Sequence, residues 1–333
     1  VQAAPFKRNA SANPLLPSGP MWASAPTHCN FNKALVQSFR CCNICRGRQS
    51  MQSIPKRSAR FASKPMFHTI HHGTLEYLTA DALCGSVHCF STRFGGVSEG
   101  ALSSLNLGTH RGDKPENVRE NYRILGAAAG FSPEETVFTR QEHTDLLLRV
   151  GEQDCGTGLE REQTAVCDGI LTDEPGVALV CFGADCTTLL LFDPVRQAIA
   201  AVHAGWRGTA LGIAYKAVLR MQTEFGCAPE HIRAAIGPCI GRCCFEVGPE
   251  VPEAMRQALG PDAEAAIEPH GEKSHVDLKL LNRSWLEKAG VRAIDICPDC
   301  TKCQPNRFWS HRVTGGNRGS QAAIIRLKGG APA

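Results

Sequence analysis

Three short apolar runs dominate the middle of the chain, at 177–182, 188–192 and 198–203. Each is shorter than a typical helix, rich in β-favouring residues, and set off by turn signals such as Asp193-Pro194. The pattern predicts strands buried on both faces. A further strand is predicted at 232–236, before Gly237-Pro238, and another at 87–92, ended by the glycine-rich stretch 93–100. Helical spacing appears elsewhere. Pro115 suits the first turn of a helix carrying Val118, Tyr122 and Leu125 on one face and closed by Gly126. Residues 209–225 place Leu211, Tyr215 and Val218 on one face, and 250–259 and 277–289 are further helical candidates. A short apolar run covers 146–150, and the polar, glycine-containing 155–164 predicts a loop. Residues 308–312 and 322–326 predict two closing strands around a glycine-rich turn. With no internal repeat and no linker after residue 66, the pattern predicts one domain with an appended tail.

Composition alters this picture mainly at the start of the chain. Residues 1–65 are rich in Ser, Ala, Pro, Asn, Lys and Arg and hold no sustained period, so they read as a disordered or artefactual basic extension; the catalytic domain is expected over 66–333. An acid-free, Arg/Ser-containing start also fits an organelle transit peptide. The formal charge of +4 hides this asymmetry: residues 1–75 hold ten Lys or Arg and no acid, leaving 26 basic against 32 acidic groups beyond them. A mildly acidic core without a broad basic field argues against nucleic acid as a partner. No apolar run approaches the roughly 20 residues that span a bilayer, which argues against a membrane role. Seventeen cysteines, an odd number in a chain without a secretory h-region, point to a reducing cytoplasm and free thiols.

The candidate chemistry sits at the ends of the predicted strands. Cys186 follows Gly183-Ala184-Asp185, and His203 opens His203-Ala204-Gly205-Trp206-Arg207-Gly208; His143 lies upstream in Gln141-Glu142-His143-Thr144. Two His and one Cys with one position left open match a catalytic zinc inventory. Arg207 at a predicted helix start and Arg93 beside Gly95-Gly96 are candidate anion holders, with stacking on Trp206 as the other reading of Arg207. Asp168 and Asp185 are candidates for orienting a ligand histidine or for general base, and Asp168-Gly169 also reads as a turn. Two cysteine clusters, Cys239/Cys243/Cys244 and Cys297/Cys300/Cys303, match neither a finger nor a complete iron–sulfur run and are read as structural thiols. The group Cys41, Cys42 and Cys45 lacks a second pair and reads the same way.

Taken in order, the blocks Thr92–Ser98, Ser104–Gly108 with His110 and Gly112-Asp113, Asp168-Gly169, Ala184–Cys186, 203–208, 236–248 and 308–312 resemble one family across about residues 70–328. It is variously called YfiH-like, multicopper polyphenol oxidase (laccase domain), or FAMIN-like purine nucleoside phosphorylase. The resemblance implies an α+β fold, a layered sandwich of mixed β-sheets flanked by helices, and metal ligands at His143, Cys186 and His203. It also implies zinc-dependent phosphorolysis of adenosine, inosine and methylthioadenosine with inorganic phosphate, and deamination of adenosine to inosine. In that reading Arg93 and Arg207 hold phosphate, and Asp168 and Asp185 are the acids of the catalytic site. Two departures stand out: the family's Gln-Val-His-Gly is Gln141-Glu142-His143-Thr144 here, and Thr188 replaces a usual proline.

Other readings remain open at this level. Copper as a substitute for zinc, with oxidation of phenols, is the family's older label, but twelve histidines include no His-x-His pair of the kind a multicopper cluster uses. A peptidoglycan-editing hydrolase is a third possibility that the resemblance raises. A zinc-stabilised scaffold would normally close its metal with four ligands, against the three found here. A monomer or small homo-oligomer is expected.

Overall fold

Alternation inside the apolar runs sorts their side chains into different cores. The structure, a computed structural model, describes residues 66–329. The expectations for residues 1–65, including Cys41, Cys42 and Cys45, lie outside the described residues. The strands are β1 (Phe67–His72), β2 (Leu75–Ala80), β3 (Ser86–Ser91), β4 (Thr136–Phe138), β5 (Leu147–Arg149), β6 (Gly169–Thr172), β7 (Ala178–Gly183) and β8 (Thr187–Asp193). They continue with β9 (Ala198–Ala204), β10 (Arg233–Ile236), β11 (Glu246–Val247), β12 (Ile267–His270), β13 (Lys273–Val276), β14 (Ala293–Ile296) and β15 (Gln321–Leu327). The helices are α1 (Pro115–Ala129), α2 (Trp206–Ala210), α3 (Ile213–Phe225), α4 (Glu250–Leu259), α5 (Leu278–Lys288) and α6 (His311–Thr314).

Two six-stranded sheets result, ordered β1-β2-β3-β15-β7-β4 and β14-β10-β8-β9-β6-β5, with a three-stranded sheet β11-β13-β12 beside them. Most pairs are antiparallel, while β4–β7, β5–β6 and β10–β14 are parallel, so the large sheets are mixed. In β8, Leu190 and Phe192 join a core shared with Leu179 and Cys181 of β7 and Ile325 of β15. Their neighbours Leu189 and Leu191 face α3 residues Ile213, Ala217 and Met221. The far face of the first sheet is covered by α1 through Val118, Tyr122 and Leu125. The architecture is thus a sandwich of mixed sheets with flanking helices. The central strands β7, β8 and β9 are covered on both faces, which is why they read as unbroken apolar runs. Among the described residues no helix is long and apolar enough to cross a membrane.

Several elements differ from the pattern-based expectation. Residues 308–312 are not a strand: Phe308 and Trp309 are buried plugs, and the chain turns into α6. Their apolarity serves packing, and their backbone N–H groups bond to side chains, Trp309 to Gln321 Oε1 at 2.7 Å and Arg312 to Asp185 Oδ2 at 2.6 Å. Helix α1 runs past Gly126 to end at Gly130, whose φ of 97° closes it. The expected helix 209–225 is two helices parted at Gly212, with φ of 73°. The hairpin β1–β2 has no signal in the apolar pattern, because β1, Phe-His-Thr-Ile-His-His, has no strongly apolar face.

Candidate functional site

Two passages of the chain from one large sheet to the other build the site. Residues 184–186 carry it from β7 to β8, and 139–146 carry it from β4 to β5. In the first, Asp185 adopts a left-handed φ of 89°. A network holds it there: Asp185 accepts from Thr301 Oγ1 at 2.6 Å, Ser310 Oγ at 3.0 Å and the Arg312 N–H at 2.6 Å. The next residue is Cys186. Because β8 pairs with β9 so that Thr187 faces Ala204 and Thr188 faces His203, the thiol emerges beside the end of β9.

Asp168, fully buried at the entry to β6, brings in the third group. Its carboxylate accepts the consecutive N–H groups of Glu142, His143 and Thr144 at 3.2, 3.0 and 2.8 Å, and the Thr144 hydroxyl at 2.7 Å. It also bonds His203 Nδ1 at 2.8 Å. This wrapping explains the positive φ of 60° at His143. Thr144, where the resemblance leads one to expect glycine, adds a bond of its own. One carboxylate therefore fixes both the loop of His143 and the ring of His203.

His143, Cys186 and His203 converge, with one donor atom of each within 4.8 Å of the others. Cys186 Sγ lies 3.7 Å from His143 Nε2, and the two imidazoles cross at 89° with centroids 4.9 Å apart. Gly205 makes room: a Cβ there would stand 2.5 Å from His143 Cδ2 and 3.3 Å from Cys186 Sγ. Burial pushes the Cys186 thiol up, but the His203 and His143 rings outweigh it and hold the thiol below its ordinary range. Burial lowers His203, and the Cys186 sulfur and Asp168 more than reverse this. Burial likewise raises Asp168, but bonds from His203 and Thr144 hold it down at about 2.

These residues fit a metal. Tetrahedral zinc with Zn–S of about 2.3 Å and Zn–N of about 2.0–2.1 Å sets sulfur and nitrogen about 3.6 Å apart. The bond from Asp168 to Nδ1 leaves Nε2 of His203 free to coordinate a metal, as when a carboxylate orients a ligand histidine. A depressed thiol supplies the thiolate a metal requires. Three protein donors leave room for a fourth ligand.

A cavity of about 940 Å³ opens beside this trio, with Phe138, Leu159 and Phe182 on its apolar wall. Arg111 and Arg318 line it as well. Arg318 is buried, its Nε has no hydrogen-bond partner, and burial together with the nearby Arg111 pulls it down to about 10. Both guanidinium groups meet at Ser320, whose hydroxyl accepts from Arg111 Nε at 3.1 Å and from Arg318 at 3.4 Å. Two guanidinium groups side by side on the cavity wall are suited to an anion.

The two arginines singled out in the sequence lie elsewhere and do not line this cavity. Arg93 sits 4.0 Å over the Trp309 ring and donates to the carbonyls of Ser103 and Pro305. Arg207 is exposed and stacks 4.3 Å over Trp206. Asp168 and Asp185 do reach the site, each with its carboxylate already engaged. Nothing local in the sequence marks Arg111 and Arg318: each stands in a glycine-containing stretch, a signal that marks a loop and not where the loop goes.

The chain belongs to the family described as multi-copper polyphenol oxidoreductase laccase, which matches residues 87–328. It is 38% identical over 251 residues to "Purine nucleoside phosphorylase YlmD" of Geobacillus stearothermophilus, covering 74% of this chain and 92% of that one. To "Purine nucleoside phosphorylase YfiH" of Escherichia coli (strain K12) it is 38% identical over 228 residues, 68% of this chain and 88% of the relative. The crystal structure of YlmD from Geobacillus stearothermophilus matches with a TM-score of 0.75 at 36% identity, covering 80% of this chain and all of that one.

Proposed function

We propose that this protein is a zinc-dependent purine nucleoside phosphorylase acting on adenosine, inosine and methylthioadenosine, and that it also deaminates adenosine. One observation carries the reading: the metal-ready trio and the guanidinium pair Arg111 and Arg318 share a single cavity. The names of the relatives point the same way. In phosphorolysis a phosphate oxygen forms a bond to C1′ while the C1′–N9 bond breaks; its electron pair leaves with the base, which takes up a proton. The products are ribose 1-phosphate, or its methylthio form, and free base.

Arg318 and Arg111, which both line the cavity, hold the phosphate dianion by charge-assisted hydrogen bonds. The wall formed by Phe138, Leu159 and Phe182 takes the flat purine face. Asp168 keeps His203 and the His143 loop in register, and Asp185 braces the turn that carries Cys186. Both acids act by positioning. When bound, zinc supplies Lewis acidity and activation of water, the chemistry that replacing the adenosine amino group by oxygen requires. Cysteines that form no disulfide among the described residues favour a cytoplasmic setting.

Copper-dependent oxidation of phenols is the second reading, favoured by a Cys/His₂ donor set that suits copper as well. The deciding experiment incubates metal-quantified protein with adenosine, with and without phosphate, and identifies the products by mass. Adenine formed only with phosphate, and inosine formed in either case, are expected. Absence of both products at any enzyme concentration overturns the proposal. Phenol oxidation by protein retaining stoichiometric copper replaces it with the second reading.

A further inference from the structure

The two cysteine clusters of the sequence meet in space. Strands β10 and β14 run parallel at the sheet edge, with Ile236 paired to Ile296, so the segments that follow them leave at the same end. There the backbones of residues 239 and 300 pair in an isolated parallel β-bridge, and the Thr301 N–H bonds the Cys239 carbonyl at 3.1 Å. Beyond that bridge, the sulfurs of Cys243, Cys244, Cys300 and Cys303 all lie within 4.8 Å of one another. The remaining two thiols stay apart: Cys239 bonds the Ile240 carbonyl at 3.4 Å and Cys297 faces Asp299 at 3.8 Å.

We propose that Cys243, Cys244, Cys300 and Cys303 hold a second metal ion, a zinc ion in a closed four-thiolate site. The spacing carries the choice. Cys303 Sγ lies 3.6 Å from Cys243 Sγ and 3.4 Å from Cys244 Sγ. A disulfide needs about 2.05 Å. A tetrahedron with Zn–S of about 2.3 Å has edges of about 3.8 Å. An iron–sulfur cluster would insert several atoms between the thiolates and spread them further than this group is spread. Four cysteine ligands with no oxygen or nitrogen donor select zinc among the common divalent ions. The Gly241 N–H donates to Cys300 Sγ at 3.1 Å, the kind of bond that orients and stabilises a ligand thiolate. Binding converts four thiols into a dianionic complex and releases their protons to solvent.

This site is structural, and its effect reaches the first. Thr301, next to Cys300, donates to Asp185, and the Ile240 N–H, before Gly241, bonds the Asp185 carbonyl at 2.9 Å. The ion therefore ties together the two segments that hold the turn carrying Cys186. The inference does not depend on which reaction the cavity performs.

Metal analysis of the full chain, purified under reducing conditions, tests it. Two zinc ions per chain are expected, falling to one in Cys243→Ser/Cys303→Ser and to one in Cys186→Ala. If the double variant does not fold, alkylation of the native protein decides. Cys243 and Cys303 are exposed, so a bound ion is expected to protect them until a strong chelator is added. A zinc content unchanged in Cys243→Ser/Cys303→Ser, immediate alkylation of both residues, or an intact mass showing a disulfide within the group overturns the proposal.

Discussion

At Asp168 five donors from two stretches of chain converge on one buried carboxylate. Single residues thus do more here than their types suggest, and Arg318 is the sharpest case. In the proposed reaction, Arg318→Ala removes a charge-assisted partner of phosphate, a loss of about 1.5–3 kcal/mol or roughly tenfold to a hundredfold. The KM for phosphate is expected to rise by that factor in steady-state assays, while Arg207→Ala leaves it unchanged because Arg207 only covers Trp206. Equal effects from the two variants would remove Arg318 from the phosphate site. The sequence singled out His143, Cys186 and His203 because thiols and imidazoles at strand ends are chemically distinctive. Arginines beside glycine are common, and nothing local separates Arg318 from Arg207.

At the scale of elements, boundaries depended on residues whose local signal was overridden by packing. Gly126 reads as a stop, yet it lies inside α1, where glycine is required because the Phe131 carbonyl would stand only 2.4 Å from an added Cβ; the stop is Gly130. The entry to the same helix is held by Asp113, which accepts from Ser98 Oγ at 2.6 Å, Asn106 Nδ2 at 2.9 Å, Asn117 Nδ2 at 3.2 Å and the Lys114 N–H at 2.9 Å. Burial raises this carboxyl, but the four bonds outweigh it and hold it below its ordinary value. A carboxyl depressed in the folded state contributes stability above its unfolded pKa of about 4, and that contribution is lost as pH falls through the folded value. Asp113→Asn is therefore expected to be less stable at neutral pH and to lose less on acidification. Urea unfolding at pH 7 and pH 3 checks this; parallel losses in variant and parent would refute it.

At the scale of the whole molecule, two sheets share one interior, and residues outside any strand complete it. Phe308 is fully buried in that shared core beside residues of both sheets. Phe308→Ala is expected to cost about 3–5 kcal/mol. At roughly 2–4 °C per kcal/mol for a domain of this size, Tm falls by roughly 6–20 °C in a thermal melt. A shift of only a degree or two would mean that this part of the core collapses around the change. The stretch 308–312 was expected to be a strand because apolarity reports burial and not hydrogen-bond partners.

By itself the sequence determined which segments are buried, since side-chain chemistry and period are local properties that tertiary contacts must accommodate. It also determined which thiol and imidazoles could bind a metal, and the order of blocks that marks the family. Tertiary structure alone decided which loops share an end of the sandwich. It set Asp168 between His143 and His203, brought Arg111 and Arg318 into the cavity in place of Arg93 and Arg207, and joined the two cysteine clusters. Strand register and the passage of the chain between sheets place residues far apart in sequence within ångströms of one another, and no local pattern encodes that distance.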